Sequence, residues 1–179
     1  MNYENVLFAA SDDPLQVTLL LLCDSSMMSL ASTLEPMRAA NRVARRRVFP
    51  WGLVTPAGKP ALLTCGVAVP AEAAFGPDLS GDALIVVAGF NQERHAGKET
   101  LAELRRAARR FRALGGVEAG SWLLARAGLL NGHAATTHWE DLEDLSGRFP
   151  EVNVLPDRFV IDGRFFTSGG ASPTFDLML

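Results

Sequence analysis

The stretch Ala113-Leu-Gly-Gly-Val-Glu-Ala-Gly-Ser-Trp-Leu-Leu124 decides the fold. Its first part, Ala113 to Val117, is small or apolar and predicts a tight buried strand that runs directly into a helix predicted over Ala119 to Leu130. Within it, Gly116-Val-Glu-Ala-Gly120 has the spacing of a strand-to-helix elbow, in which glycines permit a sharp turn that lifts the central side chain above the sheet. The stretch predicts an α/β sheet with Glu118 at the end of one strand.

Strands and helices alternate on both sides of this stretch. Upstream, apolar runs predict strands and helical spacing predicts helices, in the order strand Gln16–Cys23, helix Met28–Val43, strand Trp51–Thr55, strand Ala83–Ala88 and helix Lys98–Phe111. Downstream, the pattern predicts a strand Ala134–Thr137, a helix Trp139–Arg148, a hairpin turn at Asp162-Gly163 and a helix that begins at Ser172. This alternation predicts an α/β three-layer sandwich around a mainly parallel sheet.

The size and charge of the chain limit its organisation. Its 179 residues and 48% hydrophobic content suit one domain, from Leu15 to Leu179, preceded by a flexible arm over residues 1–14. The net charge of -3 argues against this segment itself gripping a nucleic-acid backbone. The apolar run Val17–Cys23 is far shorter than the roughly 20 residues that span a bilayer. We therefore expect no membrane association and a cytoplasmic location.

The cysteines and histidines do not predict a metal site. Cys23 and Cys65 lie among apolar residues without Cys-x-x-Cys spacing, which favours two buried free thiols over a disulfide or a zinc site. His133 and His138 are separated by a predicted strand and do not match the helical i, i+4 pair that binds zinc. We expect neither a metal nor another cofactor.

Glu118 stands where the nucleophile of an enzyme would stand. A carboxylate at a helix N-terminus is stabilised by the helix dipole and by free N–H groups, so we expect it to stay ionised and to be a poor acyl-transfer nucleophile. One alternative is that Glu118 only caps its helix. The other is that it binds a cationic ligand, because open α/β sheets bind ligands at the carboxyl ends of their strands. The residues leave both alternatives open.

Further candidate ligand-binding residues follow from spacing and from the predicted strand ends. Trp122 lies four residues after Glu118, so its ring either shares that face or packs in the core. His138 ends a predicted strand but suits a helix cap equally well. The other candidates, all at predicted strand ends, are Trp139, Asp24, Ser25, Phe90 and Asn91.

Four motifs in this order resemble a known group of proteins. They are Leu30-Ala-Ser-Thr-Leu-Glu-Pro-Met-Arg-Ala-Ala-Asn41, Gly116-Val-Glu-Ala-Gly-Ser-Trp-Leu-Leu-Ala-Arg-Ala-Gly-Leu-Leu130, Ala135-Thr-Thr-His-Trp139 and Thr167-Ser-Gly-Gly-Ala171. Together they resemble the N-terminal domain of GlxA-type regulators of the AraC family, which is similar to the PfpI protease and class I glutamine amidotransferase superfamily. The resemblance covers Leu15 to Leu179.

The resemblance implies a flavodoxin-like sandwich, a homodimer, and DNA binding through a C-terminal pair of helix-turn-helix motifs that this sequence does not contain. In the related enzymes the elbow residue is cysteine, often followed by histidine, and an acidic residue of the first helix falls near Ser29. Here those two elbow positions are Glu118 and Ala119, which argues against hydrolase, glyoxalase and amidotransferase activity. The run from Gly120 and the ending from Phe166 are most similar to regulators that sense glycine betaine, carnitine or arginine-like compounds.

The leading hypothesis is therefore a catalytically inactive effector-binding and dimerisation domain of a transcription regulator. Its effector is a small cationic nitrogenous metabolite, and it reaches DNA only through a further domain. Two alternatives remain, an enzyme that uses Glu118 as a general base and a purely structural dimerisation module. A closed crevice around Glu118 would favour the structural module.

Overall fold

The computed structural model describes residues 13–179, so the predicted arm over residues 1–14 lies almost entirely outside the described residues. The described strands are β1 (Val17–Leu21), β2 (Trp51–Thr55), β3 (Ala61–Leu62), β4 (Ala68–Val69), β5 (Ala73–Ala74), β6 (Gly81–Ala88), β7 (Phe111–Glu118), β8 (Ala134–Ala135), β9 (Asn153–Val154), β10 (Phe159–Asp162) and β11 (Phe165–Ser168). The described helices are α1 (Met27–Ala44), α2 (Gln92–His95), α3 (Lys98–Ala107), α4 (Gly120–Arg126), α5 (Leu142–Arg148) and α6 (Ala171–Leu177), with a 3-10 turn at Trp139–Asp141.

The central sheet has the strand order β10-β11-β7-β6-β1-β2-β5. Strand β1 lies between β2 and β6 and is parallel to both, with Leu19 opposite Leu53 on one side and Ile85 on the other. The pairs β6–β7, β7–β11 and β2–β5 are also parallel, and the hairpin partner β10 is antiparallel to β11. The predicted mainly parallel, flavodoxin-like sheet is confirmed.

Helices cover both faces of the sheet. Every residue of β1 is buried, and its side chains alternate between two core clusters, one on each face. Leu20 packs in the cluster beneath α3, α4 and α5, whereas Leu19 and Leu21 pack in the cluster beneath α1 and α6. Each of these leucines is fully buried, and complete burial of a leucine contributes about 1.5–3 kcal/mol. The resulting three-layer sandwich is the predicted architecture.

Several predicted boundaries are wrong for local reasons. The helix after the elbow was predicted to run to Leu130 but ends at Arg126, because Gly128, at φ 72°, takes the left-handed conformation two residues later. Phe111 was predicted at the end of a helix but opens β7, where it is 2% exposed. The last helix is capped by Gly170 rather than by Ser172. The hairpin is confirmed, with its turn at Gly163-Arg164.

The two thiols differ in their surroundings. Cys23 is half-buried, but Cys65 is exposed, so the prediction that both are buried is wrong for Cys65. Cys65 lies next to Gly66, in the turn between β3 and β4. Among the described helices, none is long and apolar enough to cross a membrane.

Candidate functional site

The elbow predicted from the sequence is present at the end of β7. Glu118 has φ 57°, a left-handed conformation that is uncommon outside glycine. A Cβ atom on Gly116 would lie 2.7 Å from the backbone nitrogen of Ser121, and one on Gly120 would lie 2.1 Å from the backbone oxygen of Val86. The glycines are therefore required, because they let α4 begin directly against β6 and β7.

Two buried hydroxyl groups hold the backbone at the elbow. The Oγ of Ser121 and the Oγ1 of Thr137 each donate to the carbonyl oxygen of Glu118 at 3.1 Å. Ser121 belongs to α4, and Thr137 follows β8, so the turn is fixed from two directions. This support offsets part of the cost of about 1–3 kcal/mol that a non-glycine residue pays in a sparsely populated conformation.

The carboxylate of Glu118 reaches across to the first helix. Its Oε2 accepts a hydrogen bond from the Oγ of Ser29, at 2.6 Å, and Ser29 is 1% exposed. The N-cap residue of α4 is Ala119, so the alternative that Glu118 serves only as a helix cap is wrong. Ser29, the position expected to have lost an acidic partner, therefore supplies a neutral donor to Glu118.

A cleft of about 410 Å³ opens above the elbow, at the carboxyl ends of the parallel strands. Its wall comes from the loop after β6 together with α2, from the start of α4, and from the 3-10 turn with the residue before it. The lining residues are Gly89, Phe90, Asn91, Gln92, Glu93, Arg94, Glu118, Ala119, Trp122, His138, Glu140 and Asp141. Five of the residues predicted from the sequence are thus brought together: Phe90, Asn91, Glu118, Trp122 and His138.

The cleft wall is predominantly anionic. Glu93, Glu118, Glu140 and Asp141 contribute four carboxylates, against one guanidinium from Arg94. Burial raises the pKa of Asp141 above its ordinary value, while nearby His138 and the indole N–H of Trp122 act in the opposite direction. A nearby cation stabilises the ionised form of a desolvated carboxylate, so the wall favours positively charged ligands.

Trp122 lies mainly in the core rather than in the cleft. Its side chain is 6% exposed, and its ring packs edge-to-face with Phe149 at a centroid distance of 5.8 Å. The guanidinium of Arg148 lies over the same ring, 5.7 Å from its centroid. Trp122 therefore reaches the cleft wall with little of its surface, and the core-packing alternative describes most of its contacts.

Asp24 supports the cleft from outside its wall. Its Oδ2 accepts a hydrogen bond from Asn91 Nδ2 at 2.9 Å and lies 2.9 Å from Nε2 of His95. These hydrogen bonds, from His95 first and then Asn91, hold the pKa of Asp24 below its ordinary value. Asp24 and Asn91 both have left-handed backbones, at φ 58° and 55°. Asp24 is thus connected to α2, which lines the cleft.

Two predicted residues do not face the cleft. Ser25 is fully buried, and its hydroxyl donates to the carbonyl oxygens of Leu22 and Val87 at 2.8 and 3.1 Å, so it fastens the end of β1 to β6. Trp139 is 72% exposed and lies outside the lining, with its ring 5.7 Å from that of His138. His138 is the N-cap residue of the 3-10 turn and also lines the cleft.

Three acidic lining residues were not predicted from the sequence. Glu140 and Asp141 resemble the acidic first turn of an ordinary helix, a pattern that usually only complements the helix dipole. Glu93 belongs to α2, which is four residues long and too short to show a period. The available signal was the pair of acids that follows His138-Trp139, after the end of the predicted strand.

Comparison with known proteins identifies the family to which this fold belongs. A model of the DJ-1/PfpI family matches residues 20–179. The chain belongs to the DJ-1/PfpI family. Among curated proteins, the transcriptional regulator CdhR of Pseudomonas aeruginosa is 39% identical over 89% of this chain and 47% of its own length. GlxA of Rhizobium meliloti, also a transcriptional regulator, is 34% identical over 95% of this chain and 54% of its own length. The resemblance to GlxA-type regulators is confirmed.

Solved DJ-1/PfpI structures agree with the fold. An AraC family transcriptional regulator from Pseudomonas putida superposes with a TM-score of 0.80 at 28% identity, covering 92% of this chain and 89% of that one. The family also contains enzymes, since an isonitrile hydratase of Pseudomonas putida is 40% identical over 46% of this chain and 35% of its own length. The chain spans about half the length of the curated regulators it matches.

Proposed function

We propose that this chain is the effector-sensing domain of a transcription regulator and that it binds a small cationic nitrogenous metabolite in the cleft above Glu118. The observation that carries the proposal is the elbow itself, which presents the Glu118 carboxylate in an anionic cleft at the carboxyl edge of the sheet. Similarity to regulators such as CdhR and GlxA supports the regulatory role.

In this proposal the domain binds its ligand and catalyses no reaction of it. The elbow holds a carboxylate instead of a thiol or hydroxyl nucleophile. Ser29, whose hydroxyl lies nearest to that carboxylate, is 1% exposed and does not line the cleft. A buried hydroxyl that already donates to Glu118 is badly placed to attack a substrate, which disfavours the alternative of an enzyme in which Glu118 acts as a general base towards Ser29.

The alternative of a purely structural module is disfavoured by the open cleft. A vestigial site would be expected to be filled by side chains, because protein interiors pack closely. Here about 410 Å³ is open beside Glu118. We further propose that the domain forms a homodimer, acts in the cytoplasm, and influences DNA only through a DNA-binding domain joined to it, whose arrangement differs between the free and the bound states.

Isothermal titration calorimetry of the 179-residue chain tests the proposal. We expect at least one of glycine betaine, carnitine and arginine to bind, and Glu118→Gln to weaken that binding by about tenfold or more, because a charge-assisted contact contributes about 1.5–3 kcal/mol. The matched control is Glu99→Gln, which removes an exposed carboxylate of α3 outside the cleft and should leave the affinity unchanged. Equal affinities for the parent and Glu118→Gln would refute the counter-charge role.

A further inference from the structure

The wall of the cleft distinguishes between two kinds of organic cation. We propose that the cationic group of the effector carries N–H donors, as a guanidinium or primary ammonium group does, and is not a quaternary ammonium group. This inference rests on the proposed function, because it concerns the ligand of the same cleft. It depends on which aromatic ring faces are exposed to the cleft and on which lining carboxylates can accept a further hydrogen bond.

A quaternary ammonium group has no N–H and is recognised mainly by the faces of several aromatic rings. Trp122 is the indole that lines the cleft, but it is 6% exposed and the Arg148 guanidinium already lies over its ring. Its edge contact with Phe149 also belongs to the core. Trp122 therefore offers no free face on which a trimethylammonium group can rest.

The remaining rings do not complete an aromatic box. Phe90 lies at the rim and is 67% exposed, so a cation placed on it would stay largely in water. Trp139 lies outside the lining and is 72% exposed. The imidazole of His138 has the Glu140 carboxylate 3.6 Å from its Nδ1. Among the described lining residues, rings thus supply little of the inner surface.

Carboxylates line the cleft instead, and a carboxylate can accept more hydrogen bonds than the one that a single protein donor supplies. Ser29 donates to Oε2 of Glu118, while no hydrogen bond from a described residue is recorded at Oε1. Asp141 is desolvated enough to have a raised pKa although the Trp122 N–H is close to it. A carboxylate has about four lone-pair sites, so one protein donor leaves it able to accept further hydrogen bonds. A ligand with several N–H groups uses this remaining capacity, whereas the methyl groups on a quaternary nitrogen cannot.

The amide groups of the wall do not change this balance. Nδ2 of Asn91 already donates to Asp24, and Oε1 of Gln92 already accepts from Arg126 at 3.0 Å. Glu93 is paired with Arg148 at 2.7 Å. Glu118, Asp141 and Glu140 are not paired with a described arginine, although Nδ1 of His138 lies 3.6 Å from Glu140. These three carboxylates together suit a group with two or more N–H donors.

Calorimetric titration with a matched pair of ligands tests the inference. Nα-acetyllysine and Nα-acetyl-Nε-trimethyllysine share one skeleton and differ only in the methyl groups on their single cationic nitrogen, and arginine, lysine, glycine betaine and carnitine complete the panel. We expect arginine or lysine to bind at least about tenfold more tightly than each quaternary compound, since at least one charge-assisted hydrogen bond is lost on methylation. Asp141→Asn should weaken arginine or lysine by about tenfold, and Glu140→Gln is a second, exposed variant with the same expected direction. The control Asp78→Asn removes an exposed carboxylate outside the cleft and should have no effect.

The possible results separate this inference from the proposed function. Tight binding of Nα-acetyl-Nε-trimethyllysine, carnitine or glycine betaine that depends on Glu118 would overturn the N–H requirement and leave the sensing role intact. Binding of arginine or lysine that is unaffected by both Asp141→Asn and Glu140→Gln would also overturn it. Absence of binding by the whole panel would overturn both.

Discussion

The contact between α4 and β6 at Gly120 provides a sharp test of the elbow. In Gly120→Ala the added methyl group would lie 2.1 Å from the backbone oxygen of Val86 and 3.0 Å from its carbonyl carbon. Ordinary contact begins at 3.4 Å, so the helix and the strand would have to separate by roughly 1.3 Å, the difference between 3.4 and 2.1 Å. Both atoms belong to the backbone of a central strand, and neither can move aside as the end of a flexible side chain can.

The cost of this separation is large on the scale of single substitutions. Overpacking of a core costs about 1–3 kcal/mol and occasionally more, and a clash with rigid backbone belongs at the upper end. We therefore expect Gly120→Ala to lower the free energy of unfolding by about 3 kcal/mol or more. For a domain of this size, each kcal/mol changes Tm by about 2–4 °C, so Tm should fall by about 6 °C or more.

Urea and thermal unfolding followed by circular dichroism measure both quantities. The control is Gly147→Ala in α5, because a Cβ atom there has no other atom within 4 Å. Alanine is the better helix former, so this variant should be more stable than the parent by about 0.5–1 kcal/mol. If Gly120→Ala unfolds within about 1 kcal/mol of the parent and keeps the parent spectrum, the close approach of α4 to β6 is not needed to form the elbow.

Two further predictions concern groups outside the cleft. Glu103 is 5% exposed and is hydrogen-bonded to Arg106 and Arg110; burial raises its pKa, but the two arginines outweigh burial and hold it below the ordinary value of 4.5. Its contribution to stability is therefore fully present above pH 4.5 and is lost as the pH falls through the lower folded-state pKa. Glu103→Gln should lower the free energy of unfolding at pH 7 by about 1–2 kcal/mol, a modest figure because the Arg106 side chain is 62% exposed. It should also reduce the loss of stability between pH 7 and pH 3. Urea unfolding across this pH range measures both effects, and a variant that loses as much stability as the parent would show that Glu103 does not titrate in this way. Cys65 is exposed and Cys23 is half-buried, so a thiol-specific chromogenic reagent should label the native chain in a fast and a slow phase, with the fast phase missing in Cys65→Ser; a fast phase that persists in Cys65→Ser would contradict the assignment.

Features that depend on neighbouring residues were predictable from the sequence. The leucine run of β1 had to be buried on both faces because it has no polar alternation. The elbow was predictable because its requirements, a strand, two glycines and a helix, all lie within a few residues. The hairpin from Phe159 to Ser168 was predictable for the same reason, with an error of one residue in its turn.

Features that depend on distant contacts were not predictable in this way. The hydrogen bond from Ser29 to Glu118 joins residues 89 positions apart, and only the family resemblance drew attention to Ser29. The inward direction of Trp122 depends on Phe149 and Arg148, which α5 brings beneath it. The buried hydroxyl of Ser25 depends on the carbonyl groups of Leu22, just after β1, and of Val87 in β6. Tertiary packing decided each of these, and spacing along the chain does not contain that information.

The left-handed backbone of Glu118 sets stability and function against each other at one residue. A glycine there would adopt φ 57° without the steric penalty of a Cβ atom, and it would leave the hydroxyls of Ser121 and Thr137 with the same carbonyl to bind. Such a chain would keep its architecture and lose the carboxylate that faces the cleft. Selection for thermal stability alone would therefore tend to remove the very group on which the proposed recognition depends.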